Sequence, residues 1–157
     1  MPEKATLERA ERDRKSGKAP STQAGEFVRE EIHHVREGKH GAANTKQAIA
    51  IGLSKARRAG VNLAPPAKGM TSARTRQQAK RDVAKGAHRT RKPSAKRSRA
   101  ISKALDREPR STASRSSLSR QSRAAAKKRT KADRSAAAKK AARTRKARRR
   151  GQARRAG

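Results

Sequence analysis

Ile49, Ile51 and Leu53 fall within five residues, in the segment KQAIAIGLSKARRAG (Lys46 to Gly60). Nowhere else in the chain do three large aliphatic side chains stand so close. Such a segment has to be covered, and the rest of the sequence offers little to cover it. Phe27 is the one aromatic residue in 157, hydrophobic residues make up 31%, and many of those are Ala. Ordering a backbone costs about 1–2 kcal/mol per residue, so a chain this poor in large apolar groups cannot offset that cost over its whole length.

The best partner lies just upstream. In STQAGEFVREEIHHVREGKHG, Val28, Ile32 and Val35 recur at i, i+4, i+7 on one helical face, with Phe27 and Ala24 beside them. Ser21 or Thr22 serves as N-cap and Gly38 as a left-handed end, which predicts a helix over 22–37. After a polar loop, Thr45 is an N-cap for a second helix whose stripe is Ala48, Ile49, Gly52, Leu53 and Ala56. Arg57 and Arg58 suit its C-terminus, Gly60 is the expected C′ residue, and Val61 is placed to pack back. Two helices joined by so short a loop pack antiparallel. The expected seam is Phe27, Val28, Ile32 and Val35 against Ile49, Leu53 and Ala56, with Gly52 letting the backbones approach. A hairpin of this size is marginal, which leaves self-association or a protein partner to complete it.

Pro65-Pro66 ends this part, and the charge changes there. Residues 1–66 hold 13 Lys and Arg against 8 Asp and Glu, and residues 67–157 hold 33 against 4. The organisation reads as a charged arm or short exposed helix (1–20), an αα-hairpin (21–64), a Pro/Gly linker (65–70) and a basic tail (71–157). Within the tail, 71–85 and 94–107 have weak helical patterns, and Leu118 is the one large apolar residue from 111 to 150. Ala, Lys and Arg favour helix, but like charges four residues apart, such as Lys127/Lys131 and Lys139/Arg143, oppose it. The fold class is therefore mainly α: a short hairpin followed by a long tail, largely disordered alone and helical once phosphates neutralise it.

A net charge of +34 calls for a polyanion, with DNA favoured over RNA. The residues named for phosphate contact are Lys127, Lys128, Arg129, Arg143, Arg145, Lys146, Arg148, Arg149 and Arg150. They bind as point charges and guanidinium forks. With no aromatic in the tail, stacking on single strands is disfavoured. The alternatives are an RNA- or ribosome-associated basic protein, which the Ser-Arg dipeptides support, and a protein-interaction module that the tail merely localises.

Other chemistry is poorly served. There is no Cys, no phosphate-cradling Gly-rich loop and no carboxylate pair in apolar surroundings, so the chain reads as non-enzymatic and without a cofactor. His33, His34 and His40 lie close to Glu30, Glu31 and Glu37, and Glu30/His34 and His33/Glu37 have i, i+4 spacing, but adjacent histidines point about 100° apart on a helix. They read as solvated pairs on an exposed face and not as a metal site. No signal sequence or apolar span is evident, which places the protein in the cytoplasm, at the nucleoid, with no membrane association.

EFVREEIHHVREGKHG followed by KQAIAIGLSKARRAG resembles a family of small basic bacterial proteins of unknown function, over residues 24–66. Lys55 stands where that family's pattern has Glu. The resemblance implies a bacterial origin and a shared hairpin, and no activity. The tail is similar in composition to bacterial histone-like proteins and linker histones.

Overall fold

A computed structural model describes residues 2–87 and 94–156. Among them are seven α-helices and no strand: α1 Lys4–Lys15, α2 Pro20–Glu37, α3 Thr45–Arg58, α4 Ala73–Ala87, α5 Ala95–Asp106, α6 Arg115–Lys127 and α7 Lys131–Ala156, with a 3₁₀ turn at Arg110–Ala113. The protein is mainly helical, as its pattern implies. The chain divides into two units, 1–118 and 119–157.

The first unit is built around the α2–α3 pair. Proline pre-sets the first turn of α2, so the helix starts at Pro20 and no side chain at Ser21 or Thr22 caps it. On α3 the cap is Asn44 rather than Thr45: the Gln47 amide donates to Asn44 Oδ1 at 2.9 Å. Thr45 instead donates its hydroxyl to the Thr112 carbonyl at 2.6 Å, holding the 3₁₀ turn. The far end of α3 closes as expected. Gly60 takes φ +90°, its amide bonds Arg57 O at 3.0 Å, and the Val61 amide bonds Ala56 O at 3.1 Å.

The helix seam differs from expectation in one respect. Its closest line is the small-residue row Ala48, Gly52 and Ala56, all buried. A Cβ at Gly52 would sit 2.6 Å from Val28 Cα, so the two backbones nearly touch there. That approach pushes the larger side chains to the flanks. Phe27, Ile32 and Val35 are buried, and Val28 and Leu53 pack against the buried groups. Ile49 is only half-buried and belongs to neither apolar cluster.

The core is completed from outside the hairpin. One cluster joins Ala24, Phe27, Leu53 and Ala56 to Ala10 of α1 and to Val61 and Leu63 beyond α3. The other joins Val28, Ile32, Val35 and Ala48 to Ala42, Ala113 and Leu118. Residues 1–20, expected as an arm or an exposed helix, thus include a helix packed on α2, with Thr6 and Ala10 buried on its inner side. The stretch 71–118, expected to belong to a separate tail, joins the same unit. On α4, Ala79 and Asp82 are buried, and Asp82 Oδ2 accepts from the Ser54 hydroxyl at 2.6 Å. Small side chains explain why hydropathy patterns missed this packing: Ala10, Ala79 and Ala113 present little apolar area yet fit where a larger group would not.

Arg57 is buried. Its guanidinium donates to the carbonyls of Leu63 at 3.1 Å and Ala64 at 3.4 Å, fastening the chain just before Pro65. Burial lowers its pKa by disfavouring the charged form, and Asp82 opposes that effect.

Candidate nucleic-acid interface

The second unit, 119–157, carries 17 Lys and Arg against one acid, Asp133. Asp133 works locally. Its carboxylate accepts from the Thr130 amide at 3.3 Å, while its own amide donates to Thr130 Oγ1 at 3.1 Å. This reciprocal pair is a capping box, and it starts α7 with a negative charge where the helix dipole favours one.

Every described residue from Lys127 to Ala147 is exposed. Lys127 ends α6, and Lys128 and Arg129 lie in the turn before α7. Arg143, Arg145, Lys146, Arg148, Arg149 and Arg150 all fall on α7; the side chains of Arg148 and Arg150 lie outside the described set. By helical register, Lys139, Arg143 and Lys146 share one face (i, i+4, i+7), and Arg145 and Arg149 lie on the other side. The helix is cationic around its circumference and about 39 Å long for its 26 residues.

The two units use their cations differently. In the first, Arg9 pairs with Glu26 at 2.6 Å, Lys18 with Asp13 at 2.5 Å, Arg58 with Asp82 at 3.5 Å, and Lys55 with Glu31 at 2.5 Å. In the second, Lys127, Lys128, Arg129, Arg143, Arg145, Lys146 and Arg149 have no acidic partner among the described residues. Opposed cations without counter-charge repel each other at short range, and a row of phosphates relieves that repulsion.

A second polar cluster lies inside the first unit, at the His and Glu residues expected as solvated pairs. Glu30 and Glu31 were expected on an exposed face, but they are 4% and 0% exposed. α1 packs on one side of α2 and α3 on another, which covers Glu30 and Glu31 and leaves His33 exposed. Lys55 reaches Glu31 Oε2 at 2.5 Å and Glu30 Oε1 at 3.7 Å. The Glu3 amide donates to Glu30 Oε2 at 3.2 Å. Glu3 Oε1 lies 2.9 Å from His34 Nε2 and 3.2 Å from Lys39 Nζ, and these hydrogen bonds hold its carboxyl below the usual range. The same contact, with Glu37, raises Lys39. Glu31, His34 and His40 each present a ligand atom, all within 4.8 Å of one another. His40 lies beyond α2, and the left-handed turn at Gly38 carries the chain back over the helix end, bringing its ring to Glu31 and His34.

Comparison with protein-family models, with curated proteins and with solved structures gives no match. No helix among the described residues is long and apolar enough to cross a membrane.

Proposed function

We propose that this is a non-enzymatic, sequence-nonspecific DNA-binding protein of the bacterial nucleoid, in which residues 119–157 contact the phosphate backbone and the first unit is a folded anchor. The observation that supports this reading is the run of eleven exposed basic side chains from Lys127 to Arg149, with no acidic partner and no buried neighbour in that span among the described residues. A cationic helix with no apolar face has no fold of its own to support. Its helix is stabilised when phosphates remove the i, i+4 repulsion, so the segment is conditionally helical. Contacts to phosphate carry no base information, so binding is indifferent to sequence.

The test is a titration of the full chain, and of a chain ending at Leu118, with two unrelated duplexes and an RNA duplex of equal length across a salt series. The full chain should bind both DNAs equally and lose affinity steeply with salt, and the shortened chain should bind weakly. Equal affinity of the two chains, or a flat salt response, refutes the proposal. Marked preference for RNA moves the partner to RNA.

A further inference from the structure

We propose that Glu31, His34 and His40 form a binding site for one divalent transition-metal ion, Zn²⁺ being the best fit, which locks the α2 end to the loop that follows it. The three donor atoms lie within 4.8 Å of one another. Donors around a tetrahedral ion with bonds of about 2.0–2.2 Å stand about 3.4 Å apart, so side-chain rotation of about an ångström closes the set. Two imidazoles and one carboxylate are a donor set suited to Zn²⁺.

Three observations favour a cation-binding site over a finished ion-pair network. The first is Glu31 itself. It is 0% exposed, and neither carboxylate oxygen makes an aligned hydrogen bond, although Lys55 and His40 are within ion-pair distance. A buried carboxylate is costly unless its lone pairs are taken up. The second is His40. Its Nδ1 lies 3.0 Å from the Gly41 carbonyl. A carbonyl oxygen only accepts, so Nδ1 carries the proton, and in the neutral ring Nε2 is a bare lone pair. That lone pair lies 3.0 Å from Glu31 Oε1. Two acceptors held face to face need a cation between them, either a second ring proton or a metal ion. The backbone bond to Nδ1 is also the outer-shell contact that orients a ligating histidine.

The third is charge. Glu30 and Glu31 are both buried, and among the described residues Lys55 is the only Lys or Arg within ion-pair distance of either. Lys55 occupies Glu31 Oε2, leaving Oε1 on the side of His40. A divalent ion at Oε1 supplies positive charge on that side without displacing Lys55. Glu3 braces the His34 ring from α1 at 2.9 Å. A polar groove of about 360 Å³, lined by Glu3, Glu30, His34 and Lys39 among others, gives solvent a path to His34.

The experiment uses the full chain, stripped with chelator and titrated with Zn²⁺ and with Co²⁺. Wild-type protein should take up one ion per chain, show Co²⁺ visible bands of nitrogen–oxygen coordination, and melt at a higher temperature with Zn²⁺. His40→Gln and His34→Gln should each weaken binding at least tenfold. His33→Gln, whose ring is exposed on the neighbouring helix position, should not. Circular dichroism checks that each variant keeps its helix content. No uptake by wild-type protein, no Co²⁺ bands, or uptake unaffected by His40→Gln overturns the site, as does an equal loss from His33→Gln. If a variant fails to fold, the wild-type stoichiometry and Co²⁺ spectrum still decide.

Discussion

Lys55 Nζ lies 2.5 Å from Glu31 Oε2, joining α3 to α2 across the interior of the first unit, with the Glu31 side chain 1% exposed. Removing the cation strands a carboxylate away from water. Lys55→Ala is expected to destabilise the protein by about 3 kcal/mol, within the usual cost of breaking a buried pair. Lys55→Met with Glu31→Gln should recover part of that loss, because no bare charge remains. Urea unfolding of the full chains followed by circular dichroism measures both.

Gly52→Ala tests the closeness of the helices. The added Cβ would meet Val28 Cα at 2.6 Å, and backbone cannot rotate aside as a flexible side chain does. The helix propensity gained by replacing Gly is about 1 kcal/mol, and the overpacking cost is about 1–3 kcal/mol. A net loss of stability is expected, where an exposed Gly→Ala in a helix would give a gain. An increase in unfolding midpoint would mean the helices stand farther apart.

Glu3 sets an acid dependence. Its folded pKa lies below the ordinary 4.5 because His34 and Lys39 hydrogen-bond the carboxylate. Its contribution is therefore present above 4.5 and is lost as pH falls through the lower, folded value. Glu3→Gln should weaken amide-exchange protection in α1 at neutral pH, and the difference from wild type should vanish in acid. A gap that persists unchanged in acid would assign the contact another origin.

Arg143→Ala, Lys146→Ala and Arg149→Ala, combined, should weaken binding to every duplex alike. Each lost phosphate contact removes about 0.9 from the slope of log K against log salt, so the triple variant should lower it by about 3 if all three touch phosphate at once. Filter binding at several salt concentrations gives the slope. An unchanged slope removes these residues from the interface.

How far the sequence could be read depended on side-chain size and on distance along the chain. The α2–α3 pair and the Gly60 end were legible because Val28, Ile32, Val35 and Leu53 carry a 3.6-residue period and the turn chemistry is local. The packing of Ala10, Ala79 and Ala113 was not, since alanine in an Ala-rich chain gives no contrast. Nor was the burial of Glu30 and Glu31. Their spacing suits an exposed face, and only the placing of α1 over α2, with Lys55 arriving from α3, makes the interior tolerate them. Ile49 was misplaced because hydropathy ranks it above Ala48 and Gly52, whereas the contact line selects small residues. At the candidate interface, position along the chain was legible and arrangement was not: a run of Lys and Arg states charge without stating which faces of α7 carry it.

From Lys131 to Ala147 the residues of α7 are all exposed, and this frees their order. Nothing folds against Ala137 or Arg143, so exchanging one for the other changes no packing and leaves the total charge as it was. Under mutation such a segment can shuffle its residues so long as helix formers and cations are retained, and copies descended from one ancestor would soon cease to align there. The Glu31–Lys55 pair has no such freedom, because a change at either position must be answered at the other. The two ends of one chain would then age at different rates, the acidic interior keeping a record of descent that the basic helix erases.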